Sequence, residues 1–240
     1  EGGTPEPGPT TDATWIPVAG QKVQMKDTPT VVSPADGVGV YEASNVNFAK
    51  AGFWTVTVTI DLDGQTKTVD AAFEVRPTHL LPAAGDPAPA STNRLVGDTT
   101  VAAKAIDSRA GSAGEVPDPE LHSMTVADAI VSGKPTVVVV STPTYCVSKF
   151  CGPITESVEE LAARTGPAAN FIHLEVWSNF EEAAINKAAA DWIYRQSDPD
   201  PHEPWVFLVG ADGTVLQRWD NVTSDASLLE ALQQAIGATP

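Results

Sequence analysis

The chain has 240 residues, of which 42% are hydrophobic and 19% charged, a globular composition with enough apolar side chains for a buried core. Its 14 basic and 31 acidic residues give a net charge of −17. This excess repels phosphate backbones and anionic headgroups, which argues against nucleic-acid binding and peripheral-membrane binding. The sequence has no apolar run of the roughly 20 residues that a transmembrane helix needs.

The first segment, residues 1–13, is rich in Gly, Pro and Thr and is predicted to be a flexible tether. A chain that begins in this way is typical of an exported protein after removal of its signal segment. We therefore expect an extracytoplasmic location, either secreted or in the cell envelope. A membrane tether would require a lipid anchor upstream of the given sequence.

Residues 14–78 are predicted to form an all-β domain. Residues 53–61 alternate apolar side chains with Thr, Asp63-Gly64 supplies a hairpin turn, and residues 66–75 return as the second strand. Shorter strands are predicted at 39–43 and 46–48. The segment Ala51-Gly52-Phe53-Trp54 with its following strand resembles the closing hairpin of immunoglobulin-like sandwich modules in exported bacterial proteins. This resemblance implies an immunoglobulin-like β domain.

The last part of the chain, residues 120–240, alternates strands and helices and follows a Pro-, Ala- and Gly-rich linker at 79–119. The β-branched run Thr136–Ser141 is typical of a strand buried on both faces. Helices are predicted at 126–131, 147–163, 181–195 and 226–236, and further strands at 171–177, 205–209 and 214–219. The order strand, helix, strand, helix, strand, strand, helix predicts an α/β domain.

The only two cysteines, Cys146 and Cys151, follow the first long strand of this domain. A bridge closing so short a loop adds little stability, so the pair indicates redox chemistry or metal binding. The run from Val137 to Cys146, followed by Cys151-Gly152-Pro153, resembles the active-site strand and loop of exported thioredoxin-like proteins. Together with the element order, the resemblance implies a thioredoxin-like fold. It also implies a cofactor-free thiol–disulfide oxidoreductase that acts on a protein or small-molecule thiol or disulfide.

The cysteine spacing departs from that family, because four residues separate the cysteines where thioredoxins have two. An ideal helix places Cα atoms five residues apart at about 8.7 Å, beyond the ~7 Å limit for a disulfide. Cys146 and Cys151 therefore cannot bond within an unbroken helix. Either Cys146 lies in the loop before the helix, or oxidation unwinds the first helical turn.

A helix N-terminus stabilises a thiolate through its free N–H groups and its dipole. We therefore expect Cys146, the more N-terminal cysteine, to attack and Cys151 to resolve. Lys149 either adds a cation that favours the thiolate or is a solvated loop residue. Tyr145 holds the place where thioredoxins often have Trp.

Pro204 stands directly before the predicted strand 205–209, where thioredoxin-like proteins have a cis-proline facing the cysteines. The resemblance therefore implies a cis Glu203–Pro204 bond and a catalytic role for Pro204 in shaping the partner groove. Tyr145, Pro143 and Glu203 are the predicted lining of that groove.

Three alternatives stay open for the cysteine pair. Peroxiredoxin Q proteins have the same spacing, but they place Thr or Ser three residues before the attacking cysteine, where this chain has Pro143. Sco-type copper chaperones use two cysteines and a histidine on a thioredoxin fold, although three residues separate their cysteines. That similarity makes Cys146, Cys151 and His202 candidate copper ligands. In the third alternative, the pair is an inert bridge in a non-catalytic surface module.

Two further histidines are interpreted as structural or exposed. His173 alternates with Glu175 in a predicted core strand and is expected to be a core residue. His122 lies near the predicted start of the domain and is expected on its surface.

Overall fold

In the computed structural model, the chain forms two compact units. The structure describes residues 6–17, 22–25, 28–31, 39–146, 148, 150–195 and 203–238. One unit comprises residues 1–15 and 41–80, and the other comprises residues 16–40 and 81–240. Among the described residues, no helix combines the length and hydrophobicity needed to span a bilayer.

Four short strands come first in the chain. They are β1 (Thr14–Pro17), β2 (Lys22–Met25), β3 (Thr28–Val31) and β4 (Gly39–Glu42). Strands β2 and β3 pair antiparallel in a sheet of their own, with Met25 opposite Thr28.

A long hairpin dominates the smaller unit, as the sequence predicts. Its strands are β5 (Gly52–Leu62) and β6 (Gln65–Val75), which pair antiparallel along their full length. Asp63 and Gly64 form the turn with φ of 52° and 76°. A two-residue hairpin turn of this kind needs positive φ at both positions, which explains the Asp-Gly sequence.

The two strands of this hairpin form a separate two-stranded sheet. Val58, Ile60 and Leu62 on its apolar face are 49, 41 and 53% exposed. The strand predicted at 46–48 is a loop, in which the Phe48 ring packs against Trp54 at a centroid distance of 5.1 Å. The hairpin is therefore confirmed, and the immunoglobulin-like sandwich stays a prediction.

The larger unit is built on a four-stranded sheet. Its strands are β7 (Thr136–Ser141), β8 (Asn170–Glu175), β11 (Trp205–Val209) and β12 (Val215–Asp220). Their order across the sheet is β12-β11-β7-β8. Strands β7 and β8 are parallel, and the other pairs are antiparallel. With the helices below, this sheet has the predicted element order, which confirms the thioredoxin-like fold.

The helices of this unit are α1 (Val126–Ala129), α2 (Cys151–Thr165), α3 (Lys187–Ile193) and α4 (Asp225–Gly237). The predicted cap Thr125 is confirmed, because its side chain accepts a hydrogen bond from the Asp128 N–H at 3.1 Å. Helix α2 begins four residues later than the sequence suggests.

Helix α3 is shorter than predicted, since the residues before it form a small hairpin. The hairpin strands are β9 (Trp177–Asn179) and β10 (Ala184–Ile185). Asn186 follows this hairpin and donates through its side-chain amide to the carbonyls of Ala105 and Glu175 at 2.9 and 2.8 Å. These long-range bonds hold the chain extended up to the start of α3.

Helices pack on both faces of the sheet, and β7 contributes apolar side chains to each face. Val138 and Val140 join one core cluster, to which α3 contributes Trp192. Val137 and Val139 join the opposite cluster, to which α2 and α4 contribute apolar residues. All six residues of β7 are buried, as its β-branched sequence predicts.

Much of the predicted linker at 79–119 belongs to this compact unit. The Gly85 N–H donates to the Val215 carbonyl, and the Val215 N–H donates to the Asp86 carbonyl, both at 2.9 Å. Strand β12 is an edge strand, so this segment satisfies backbone groups that would otherwise be unpaired within the sheet. Small and proline residues can lie flat along such an edge, which explains a composition that locally resembles a linker.

We predict that replacing the completely buried Leu232 of α4 with Ala lowers the free energy of unfolding by about 3 kcal/mol. The loss arises because the truncated side chain leaves a cavity beneath the sheet. Leu216 on β12 is 43% exposed, so Leu216→Ala is the control and should cost less than about 0.5 kcal/mol. Urea unfolding of both variants measures the difference, and equal losses would contradict the packing of α4.

Candidate active site

The two cysteines form a disulfide at the beginning of α2. Cys146 lies in the loop that follows β7 and is half-buried, whereas Cys151 is the first residue of the helix and is completely buried. Their Cα atoms are 5.9 Å apart. With the disulfide closed, Cys146 lies in the loop before a helix that begins at Cys151.

Two polar groups lie beside the Cys146 sulfur. The Cys151 N–H donates to Cys146 Sγ at 3.3 Å, and Ser148 Oγ lies 3.2 Å from the same sulfur. The Ser148 hydroxyl donates to the Glu203 carbonyl at 3.4 Å, which brings the Glu203–Pro204 peptide beside the cysteine loop. That peptide bond is cis, as predicted. Lys149 lies outside the described residues.

An aromatic stack flanks the cysteine loop. The rings of Tyr145 and Phe180 are parallel, with centroids 4.1 Å apart, and Trp177 meets Phe180 edge-on at 5.6 Å. Phe180 is 45% exposed, so the stack reaches the surface. Sequence reasoning missed Phe180 because it expected the 181–195 helix to begin at the next residue, and no local pattern indicates the β9–β10 turn.

The structure thus assembles most of the predicted site residues. Cys146, Cys151 and Glu203 are linked by the contacts above, and Pro204 follows Glu203 directly. Tyr145 immediately precedes Cys146, and Pro143 lies two residues further back, in the turn after β7. The third predicted copper ligand, His202, lies outside the described residues.

Beneath the disulfide lies a buried polar network centred on Asp107. Its Oδ2 atom accepts hydrogen bonds from Arg109 Nη2 at 2.7 Å, His173 Nδ1 at 3.2 Å and His122 Nε2 at 3.4 Å. Asp107, His122 and His173 are all buried. The expectation that His173 is a core residue is confirmed, and the expectation that His122 is on the surface is wrong. His122 is buried because the segment containing Asp107 folds against the sheet.

A count of protons identifies the ionisation state of His173. The Thr155 hydroxyl donates to the Cys151 carbonyl at 2.7 Å, because a carbonyl can only accept. Its oxygen therefore accepts the single proton of Ser141, 2.7 Å away, and Ser141 Oγ accepts from His173 Nε2 at 2.9 Å. His173 Nδ1 donates to the acceptor-only carboxylate of Asp107. Both ring nitrogens thus carry a proton, and His173 is an imidazolium.

Electrostatics gives the two buried histidines opposite titration behaviour. Burial lowers the pKa of His173, but the hydrogen bond and the negative charge of Asp107 outweigh burial, and the net change is upward. Burial lowers the pKa of His122, and its bond to Asp107 does not compensate, so His122 stays neutral at pH 7. Burial also raises the pKa of Glu159, which pairs with Arg109, to about 7.

The same cluster places three ligand atoms of the kind that transition metals bind close together. These atoms of Asp107, His122 and His173 lie within 4.8 Å of one another. The Arg109 guanidinium already occupies Asp107 Oδ2, and His173 is protonated at both nitrogens. The positive charges of Arg109 and His173 beside the Asp107 carboxylate disfavour binding of a metal cation. We therefore interpret the cluster as a buried ion-pair network and not as a metal site.

Sequence reasoning missed this network because its members are far apart in the chain. Asp107 lies in the predicted linker, 66 residues before His173. A weak signal was present, since a histidine and a glutamate in an otherwise apolar strand require buried partners. The sequence did not indicate which residues supply them.

No protein-family model matches the sequence, and no curated protein matches it. Among solved structures, the chain is similar to a thiol:disulfide interchange protein of the thioredoxin family from Chlorobium tepidum TLS, at 14% identity and a TM-score of 0.36. That match covers 46% of this chain and 85% of the other. The chain is also similar to Trgpx in its apo form, at 15% identity and a TM-score of 0.31, over 48% of this chain and 88% of the other. At these values the fold assignment rests on the sheet order and the element sequence described above.

We predict that His173→Gln destabilises the protein in a pH-dependent way. The pKa of His173 is raised on folding, so its contribution to stability is complete below the ordinary value of 6.5 and is lost as pH rises through the folded-state pKa. Near pH 6 the variant should lose about 3 kcal/mol in the free energy of unfolding, because Asp107 loses a buried partner.

Urea unfolding at pH 6 and pH 9 tests this prediction, since the loss should be smaller at the higher pH. Glu160→Gln, at an exposed residue of α2, is the control and should change stability little at either pH. A loss from His173→Gln that is the same at both pH values would show that His173 is not charged in the folded protein.

Proposed function

We propose that this chain is a thiol–disulfide oxidoreductase that works through Cys146 and Cys151. The observation that carries the proposal is the asymmetry of the pair: Cys146 is half-buried in a loop, and its partner is completely buried at the start of a helix. One sulfur can be reached by a second molecule while the other is protected. This is the arrangement that an attacking and a resolving cysteine require.

The exchange proceeds in two balanced steps. The Cys146 thiolate attacks one sulfur of a partner disulfide, forming a mixed disulfide and releasing the first partner thiolate, which takes a proton from water. Cys151 then loses its proton and attacks Cys146 Sγ, which releases the second partner thiol and closes the Cys146–Cys151 disulfide. Two electrons pass to the partner, and the reverse sequence oxidises a partner dithiol. No cofactor is needed.

The partner groove in this proposal lies beside the half-buried sulfur. Glu203 and Pro204 form one side, because the Glu203 carbonyl contacts the cysteine loop through Ser148. Tyr145 and Pro143 form another side, and the stacked, partly exposed Phe180 extends it. Aromatic faces of this kind suit an apolar segment of a protein partner, and a small thiol would use the same sulfur.

We also propose that the protein acts outside the cytoplasm, where disulfides persist. In this proposal the β5–β6 hairpin is part of an immunoglobulin-like module. The exposure of Val58, Ile60 and Leu62 supports further strands over this face, because an isolated two-stranded hairpin is marginally stable in water.

We predict different outcomes for the two cysteine substitutions. Cys146→Ser should abolish exchange with a model disulfide substrate, because the remaining thiol, Cys151, is completely buried. Cys151→Ser should accumulate a mixed disulfide with the substrate, because the resolving step is missing. Non-reducing electrophoresis and mass spectrometry detect the adduct, and the double variant Cys146→Ser/Cys151→Ser is the control that forms none.

If Cys151→Ser turns over at the wild-type rate, the assigned roles are wrong. The reduction potential of the wild-type pair distinguishes thiol–disulfide exchange from the alternative of an inert structural bridge. A working exchange pair should lie above about −300 mV, whereas a structural bridge in a non-catalytic module would lie below that value.

A further inference from the structure

Ser148 is placed where the chemistry of the cysteine pair would change its hydrogen bonding. It lies within the four-residue segment between the cysteines and is half-buried. Its Oγ atom is 3.2 Å from Cys146 Sγ and 3.4 Å from the Glu203 carbonyl oxygen. It also accepts a hydrogen bond from the Phe150 N–H at 3.4 Å. The hydroxyl thus lies between the half-buried sulfur and the peptide beside it.

The hydroxyl has one proton and two acceptors within reach. In the disulfide the Cys146 sulfur is neutral and a weak acceptor, so the Glu203 carbonyl is the better partner. When the disulfide is reduced and Cys146 loses its proton, the sulfur carries a full negative charge. A hydrogen bond to a charged acceptor is roughly twice as strong as a neutral one. The proton should then turn from the carbonyl to the sulfur.

A second donor already points at the same atom. The Cys151 N–H donates to Cys146 Sγ at 3.3 Å, and it is free to do so because the first N–H groups of a helix have no partner within the helix. The positive end of the α2 dipole acts in the same direction. The backbone donor is present whatever the side chains are, whereas the hydroxyl depends on a serine at position 148.

We propose that Ser148 is a positioning residue for thiol–disulfide exchange, whose hydroxyl stabilises the Cys146 thiolate through a hydrogen bond that replaces its bond to Glu203 when the disulfide opens. This inference rests on the proposed function. It gives the longer spacing between the cysteines a chemical role, because the spacing places a side-chain donor beside the attacking sulfur. Removing the hydroxyl favours the protonated thiol and the disulfide over the thiolate.

The test uses the full chain with Cys151→Ser, so that Cys146 is the single thiol. Titration of the ultraviolet absorbance of the thiolate, with and without Ser148→Ala, measures the effect of the hydroxyl directly. We expect Ser148→Ala to move the titration midpoint of Cys146 up by about one pH unit, which is about a tenfold smaller ratio of thiolate to thiol at any fixed pH. The rate of alkylation by iodoacetamide, measured at a pH below the wild-type midpoint, should fall with the thiolate fraction.

Two matched variants isolate the hydroxyl. Ser148→Thr keeps a hydroxyl and should restore the original midpoint, and Ser157→Ala removes a half-buried serine six residues into α2 and should leave the midpoint unchanged. Thermal unfolding checks that each variant is folded, and Ser148→Gly replaces Ser148→Ala if the latter is not. With both cysteines present, Ser148→Ala should shift the equilibrium with glutathione toward the disulfide by about tenfold at a pH above both thiol titrations.

A midpoint that Ser148→Ala leaves unchanged within about 0.2 pH units would overturn the inference. The titration needs no partner protein, so its outcome is independent of whether the proposed exchange activity exists. Absence of exchange by the wild-type protein, together with a normal shift in Ser148→Ala, would remove the proposed function and leave the hydrogen bond established.

Discussion

The start of helix α2 is the constraint on which the rest of the site depends. A disulfide requires Cα atoms within about 7 Å, and an unbroken helix would hold Cys146 and Cys151 farther apart than that. The observed separation is 5.9 Å, and it is reached because the helix begins at Cys151 and leaves Cys146 in the loop. Beginning the helix there also frees the Cys151 N–H for Cys146 Sγ. One geometric requirement therefore produces both the half-buried position of Cys146 and the electropositive surroundings of its sulfur.

A buried hydrogen-bond network connects the first turns of α2 to a charged pair in the core. Thr155 of α2 is linked through Ser141 of β7 to the His173 imidazolium of β8, and from there to Asp107. A buried ion pair is tolerated only when its remaining donors and acceptors are also satisfied, and Arg109 completes the coordination of the carboxylate. The network joins helix, sheet and the 81–119 segment. Loss of any member would therefore affect the stability of the whole unit as well as the position of Cys151.

The two proposals place different demands on the same short loop. Exchange requires that a partner reach Cys146, and the partly exposed Phe180 beside Tyr145 offers that partner an apolar surface. Thiolate stabilisation requires that Ser148 be held close to the sulfur, and its bonds with Glu203 and Phe150 hold it there. The hydrogen bonds of Ser148 fix the loop beside the sulfur, while Cys146 at its start is only half-buried. The same loop therefore meets both requirements.

Local patterns in the sequence determined the elements whose residues interact with near neighbours. The β-branched run of β7, the Asp63-Gly64 hairpin and the amphipathic α4 all match their predictions, because periodicity and turn chemistry are local properties. The sequence also excluded an unbroken helix across the cysteines, since that argument needs only their spacing. Only the tertiary structure showed that the helix of the disulfide form begins at Cys151 and leaves Cys146 in the loop. It also brought Asp107 to His173 across 66 residues and turned a linker-like segment into the cover of an edge strand. Such contacts depend on which buried polar side chains and edge-strand backbone groups still lack hydrogen-bond partners once the sheet has formed. A local sequence pattern does not contain that information.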